Sequence, residues 1–502
     1  MNPQVSRQTT TDGPWLGTWV VIGALLVALL SGAMLGLLSD PLMAAVPVLV
    51  TLGGLGYAYL VFNASRGKYT DLFFWLALGV AFFAPLVQAI VHRPLGFLAE
   101  LVLLAATPLS LIGLYRRRTS VPGLTVYLMM LGAFVLWELL VTIRGRSIPV
   151  AAGYQFATNM KPFLMMAFGF GLAWSPRTEK WFWRFVGTCW LYIYPFVAWQ
   201  ALAPGSFQAV FSASFVEHAL NPFLPFLVRS QGPLGYSSVL ASLCIALFLL
   251  CLTRLFVDGK RPYLMPLLAY GGLIVLAGQR QEAAALLVVC ILGLLVGRWR
   301  LSIRSLMLSA VLVAPLALGA LHLVAPDAVV RESQLWEAGA TSGPAGARAA
   351  LYDAAVHIAN AQHPFGAGLG RFGGVGAAKF DTRLYVEAGL GGYWWFREGM
   401  YLMDSVMACY IAELGWWGLG GLGLLLVMPL AWLHRQYRQG ASAGTGLGLY
   451  AFMAATYAVL VSPTAFVITD PGMGLLCFVG IGLICSQRGH PNLSGVRLDP
   501  AA

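Results

Sequence analysis

The chain has 502 residues, of which 59% are hydrophobic and 10% charged, with a mean hydropathy of +0.76. Soluble globular chains carry about 25% charged residues, so this composition excludes water as the main solvent. The net charge of +11 first suggests nucleic acid, but the basic residues stand singly between apolar runs, which is the pattern of membrane orientation.

The apolar runs are continuous rather than alternating. Only helices and closed barrels satisfy their backbone in lipid, and a barrel strand would alternate, so the chain is expected to be an all-α, polytopic membrane protein. Runs long enough to span are read at 15–38, 41–62, 71–91, 97–115, 121–143, 161–175, 181–201, 234–256, 262–279, 281–297, 303–325, 405–433, 446–463 and 471–486. That makes about 14 transmembrane helices at roughly 20 residues each. The first run, Trp15 to Leu38, is too long for a signal-peptide core and lacks a small-residue cleavage site, so it is expected to be retained as a span.

Placing the N-terminus in the cytoplasm makes every second connection basic: Arg66 with Lys68, Arg116 to Arg118, Arg177 with Lys180, Lys260 with Arg261, Arg298 with Arg300 and Arg304, Arg435 with Arg438, and Arg488. This satisfies the positive-inside rule. The organisation expected is a cytoplasmic tail over 1–14, spans 1–11 over 15–325, a large external loop subdomain over 326–404, spans 12–14 over 405–486 and a cytoplasmic tail over 487–502. Two further long connections, 144–160 and 202–233, fall on the outer side. The seven cysteines lie in or beside apolar runs and none in the long loop, which argues against a disulfide framework or a thiolate metal site.

Basic residues left on the outer side are the unusual ones. Arg280, in LAGQRQEAAALL, reads either as a helix-end anchor or as a fixed cation facing a polar cavity; at mid-membrane an arginine costs about 2.5 to 3.5 kcal/mol. Arg229, in FLVRSQGPLGYSS, alone is an ordinary loop arginine. With Arg280 and Arg348 it makes three outward guanidiniums, the side chain best shaped for bidentate contact with phosphate oxygens.

Within the long loop, Thr341-Ser342-Gly343-Pro344 offers a cap and an early-turn proline, and AGARAALYDAAVHIANAQ reads as a helix stopped by Pro364. Arg348 and Tyr352 share a face of it, which Ala355 and Ala359 continue. Its small residues suit close packing or the bilayer surface. Asp404, where the loop re-enters the membrane, reads as a helix N-cap, as a general base, or as both. Glu413 reads as a structural hydrogen-bond partner. GLGRFG at 368–373 matches the dinucleotide fingerprint formally, but no strand precedes it. His357 and His363 have poor ligand spacing. Glu217-His218 reads as a solvated loop or as a second acid/base pair, and the tryptophans 394, 395, 416 and 417 read as interfacial belt residues, the first pair also as a glycan platform.

In order and spacing, RSQGPLG before a span, GQRQEAAALL between spans, ARAALYDAAVHIANAQHPFGAGLGRF in the long loop and MDSVMACYIAELGWWGLGG at re-entry resemble the bacterial O-antigen ligase and O-antigen polymerase superfamily over about 225–430. The resemblance implies a GT-C-like membrane glycosyltransferase of the bacterial inner membrane, with both termini cytoplasmic and its site facing the periplasm. It implies undecaprenyl diphosphate-linked oligosaccharides as donor and acceptor, no cofactor and no metal, and a place for a chain-length regulator and a flippase of the same pathway. Arg229 and Arg280 fall where the family binds diphosphate, and Arg348 falls on the loop helix covering the site. Glycan contacts are expected at Tyr352, His363, Arg371, Trp394, Trp395, Arg397 and Glu398.

The ligases of that superfamily carry a His-Asn pair nine residues before the re-entry glutamate. Here Asp404-Ser405 stand there, which resembles the polymerase branch. The expected activity is therefore polymerisation of lipid-linked repeat units, with Asp404 and Arg280 catalytic. The alternatives are a ligase acting on lipid A core or protein, and, from another class, a lipid-linked oligosaccharide flippase. A transporter should show repeat symmetry and ionisable groups through the membrane depth, neither of which the sequence displays.

Overall fold

A computed structural model describes residues 70–91, 97–117, 123–172, 176–211, 220–224, 226–296, 344–399, 402–403, 405–438, 445–462, 469–482 and 484. Two compact units divide the chain, 1–73 and 74–502; only 70–73 of the first are described, and the helical body belongs to the second. The spans expected at 15–38, 41–62 and 303–325 lie outside the described residues, as do Asp404, Glu217 and His218.

In chain order the helices are α1 (Thr70–Val91), α2 (Phe97–Arg117), α3 (Leu124–Arg144), α4 (Pro149–Gly171), α5 (Pro176–Leu202), α6 (Pro204–Phe211), α7 (Ser237–Phe256), α8 (Leu264–Ala277), α9 (Arg280–Val296), α10 (Pro344–Ala361), α11 (Val375–Phe380), α12 (Arg383–Glu387), α13 (Trp394–Arg397), α14 (Val406–Arg438), α15 (Thr445–Val461) and α16 (Pro471–Gly474), the last running into a π turn over Leu475–Val479. Five stretches among the described residues are long and apolar enough to cross a membrane: Asp71–Ala89, Leu124–Arg144, Arg177–Leu202, Ser237–Phe256 and Val406–His434.

Helix α3 carries large apolar side chains on its exposed face. On α3 the exposed residues include Met129, Leu136, Leu139, Leu140 and Ile143, while Glu138 is buried among Tyr127, Phe134 and Val141. An apolar outer face with the one acid turned inward suits lipid and not water. The acid is met from α4: Asn159 Nδ2 donates to Glu138 Oε1 at 2.7 Å, and Gln155 Nε2 donates to Asn159 Oδ1 at 2.9 Å.

That inward polar set belongs to a helix, where the sequence suggested a connection over 144–160. The turn is confined to a few residues, and α4 begins at Pro149, a proline at the first helical position. Gln155, Thr158 and Asn159 look like loop residues in the sequence, yet all three are buried.

The expected loop helix is present as α10. It packs against α14, with Ala347, Leu351, Ala354, Ala355, Ile358 and Ala359 in one core that also holds Phe372, Tyr385 and Trp395 from the loop and Ala408, Ile411 and Ala412 from α14. Burying each large side chain contributes roughly 1.5 to 3 kcal/mol, so the loop subdomain and the re-entry helix form one packed body. Tyr385 joins its parts: its hydroxyl accepts from Gly373 N at 2.7 Å and donates to Leu402 O at 2.6 Å.

The span expected at 405–433 is interrupted. Gly415 has φ 67° and ψ −177°, which breaks α14 in two. A broken helix frees carbonyls, and here each finds a donor: Ala367 N donates to Ala412 O at 2.8 Å, Gly368 N to Glu413 O at 3.0 Å, and Trp137 Nε1 to Leu414 O at 3.0 Å.

Candidate functional site

Arg229 is positioned by its backbone. Asn221 Nδ2 donates to the carbonyls of Val275 and Leu276, both at 2.9 Å, at the end of α8. Its Oδ1 accepts from Phe223 N at 2.9 Å and Leu224 N at 3.2 Å. From the last turn of α5, Gln200 Nε2 donates to Arg229 O at 3.2 Å, and its Oε1 accepts from Gln231 N at 2.9 Å. Ser230 N donates to Leu276 O at 3.0 Å. The Arg229 loop is thus held against the α8–α9 junction.

At that junction Gly278 ends α8 in the left-handed region, with φ 66°. A Cβ there would lie 2.9 Å from Asn221 Cγ and 3.1 Å from Arg229 Cγ, so the turn and the close approach both require glycine. Gln279 Nε2 donates to Ser237 Oγ at 2.7 Å, and Arg280 opens α9. The positive charge of Arg229 acts on Arg280.

Glu282 follows two residues along α9. It is 2% exposed, and the charges of Arg348 and Arg229 both act on it. The charge of Arg348 on the loop helix α10 and that of Arg229 thus reach the same carboxyl. Arg348 also acts on Tyr352, as expected from their shared face, and the Tyr352 and Ser405 side chains share a hydrogen bond. Ser405 Oγ accepts from Ala408 N at 3.3 Å. Ser405 therefore caps the start of α14. Arg229, Arg280, Arg348, Tyr352 and Ser405 gather into one neighbourhood that arises from α8–α9, α10 and the start of α14.

The expected glycan contacts have varied places. Arg371 turns inward: its Nη1 donates to Gly145 O at 2.9 Å, closing the end of α3, and its backbone N donates to Glu413 Oε1 at 2.8 Å. Trp395 is buried in the loop core, stacked on Tyr393 at 5.3 Å. His363, Trp394, Arg397 and Glu398 lie on the exposed surface of the loop. Glu413 is the structural partner the sequence suggested, its Oε1 accepting also from Phe372 N at 2.9 Å. GLGRFG serves this packing, and no strand precedes it among the described residues. Nearby, Arg383 bonds both Asp381 oxygens, at 2.8 and 3.0 Å, and holds that carboxyl below the usual range.

Three site residues escaped the sequence reading: Gln200, Asn221 and Glu282. Asn221-Pro222 is a turn signal, but nothing marks its side chain as the pin of the Arg229 loop. Glu282 stands in GQRQEAAALL, where Arg280 drew the attention. No protein-family model matches the chain, and no curated protein matches it.

Proposed function

We propose that the chain transfers a glycan from a polyprenyl diphosphate carrier to a hydroxyl of a second lipid-linked glycan, extending a surface polysaccharide or exopolysaccharide. The observation that carries this reading is that Arg229 acts on Arg280 and that Arg229 and Arg348, from segments distant in sequence, both act on the buried Glu282. Guanidiniums near one another beside apolar helices fit a lipid-anchored dianion, because partial desolvation strengthens each contact with its phosphates.

In the reaction, the bond between the anomeric carbon and the diphosphate oxygen breaks and its electron pair stays on that oxygen. The arginines meet the growing charge. The acceptor hydroxyl attacks the opposite face and inverts the anomeric centre, and Asp404, next to Ser405 in the chain, takes its proton.

The test is purified protein in lipid nanodiscs with a synthetic undecaprenyl diphosphate-linked oligosaccharide as sole substrate, products read by mass. A ladder spaced by one repeat unit is expected. Product that appears only after lipid A core or an acceptor protein is added would make the chain a ligase. No transfer under either condition, with lipid-linked glycan crossing the bilayer, would make it a flippase.

A further inference from the structure

A crevice with about 440 Å³ of open space lies between α1, α5, α15 and the π turn, lined by Phe74, Phe182, Leu475 and Leu476 and by the polar Glu179 and Tyr450. Mostly apolar walls with few polar groups, at this size, are the character of a ligand pocket. Tyr450 is 1% exposed, and its hydroxyl has no hydrogen-bond partner among the described residues. A buried hydroxyl in that state costs free energy that a ligand acceptor would recover. The crevice is remote from the arginines: Ser237, bonded to Gln279, and Arg254, bound to Glu179, stand at opposite ends of α7, about 25 Å apart. It does not depend on the reaction proposed there.

Glu179 is built into the exposed rim. Its Oε1 accepts from Trp183 Nε1 at 3.2 Å and lies 3.6 Å from Arg254 Nη2. Arg254 is itself held by Asp258, with Nη1 to Oδ2 at 2.8 Å, and its guanidinium lies over the Trp183 ring at 3.8 Å. Tyr263 completes the support, its hydroxyl donating to Trp183 O at 3.3 Å. One guanidinium faces two carboxylates, so the trio carries one net negative charge. A carboxylate at the rim of an apolar crevice complements an amphiphile with a cationic head. The exposed Arg177, Lys180, Lys260 and Arg261 on the segments around it suit a phosphate in the same headgroup. We propose that this crevice binds one ethanolamine phospholipid, with the primary ammonium on Glu179, an ester carbonyl accepting from Tyr450, which sits in the second turn of α15, and the acyl chains along the apolar wall.

The experiment titrates the purified full chain in detergent with dioleoyl phosphatidylethanolamine, phosphatidylcholine and phosphatidylglycerol, and reads retained lipid by native mass spectrometry. Wild type should hold one phosphatidylethanolamine about ten-fold more tightly than either other lipid, the scale of one charge-assisted hydrogen bond. The quaternary ammonium of phosphatidylcholine has no hydrogen to donate, and phosphatidylglycerol has no cation. Glu179→Gln keeps an acceptor for the Trp183 indole and should bind the three lipids alike. Tyr450→Phe should weaken all three by about three-fold. In Gly480→Leu the new side chain grows from a Cβ position whose nearest neighbour is the Tyr450 ring at 4.0 Å, fills the crevice and should abolish retention. Equal retention of the three lipids by wild type would reduce the contact to ordinary annular lipid and overturn the proposal. Preference for phosphatidylglycerol, an ethanolamine preference unchanged in Glu179→Gln, or undiminished binding by Gly480→Leu would overturn it as well.

Discussion

Arg280→Ala should lower the rate of glycan transfer by about 10²- to 10³-fold, the usual loss when one preorganised donor to a developing oxyanion is removed. The guanidinium is placed by the Gly278 turn and the Gln279–Ser237 bond, both of which survive the substitution. Arg229 already repels it, so its removal relieves strain between like charges, and the thermal midpoint should move by no more than a few degrees. Arg280→Lys should be intermediate, because an ammonium keeps the charge and loses the bidentate fork. Folded Arg280→Ala protein transferring glycan at the wild-type rate would remove the arginine from the reaction.

Gly370→Ala should be the most damaging small substitution in the loop, destabilising by at least about 3 kcal/mol. The residue has φ 70°, which costs an L side chain about 1 to 2 kcal/mol. The added Cβ would also overlap the Ala151 carbonyl carbon and lie 2.5 Å from its oxygen, and backbone cannot move aside as a flexible side chain can. The loop would have to lift from α4, pulling Arg371 N and Phe372 N away from Glu413. Gly389→Ala is the control, since Gly389 has φ 81° but nothing within 4 Å of its Cβ position; it should cost only the backbone term. Thermal unfolding in detergent reads both, and equal midpoints for the two variants would contradict the packing account.

The features legible in the sequence were those in which chemistry conflicts with surroundings. Arg229, Arg280 and Arg348 stood out because a fixed cation beside apolar runs needs a reason. The loop helix was legible from its proline start and its alanine-rich face, which the structure buries against α14. The start of α4 was not, because Gln155 and Asn159 are as polar as loop residues and only their inward direction, toward Glu138 and Gly376, shows that they belong to a helix.

The same limit hid the supports of the site. A glutamine at a helix end, such as Gln200, has one composition whether it faces headgroups or clamps a neighbouring loop, and its role exists only once α5 lies beside the Arg229 segment. Gly415 reads as one more glycine in a glycine-containing span; its break is forced by donors from residues 367 and 368, which sequence order places far away.

The central claim is that Arg229 and Arg348, carried on separate segments, act on one anion. Undecaprenyl diphosphate affinity measured for wild type, Arg229→Ala, Arg348→Ala and the double variant closes a double-mutant cycle. The double variant should lose less than the sum of the single losses, with a coupling of about 1 kcal/mol or more. Strictly additive losses would contradict a shared anion.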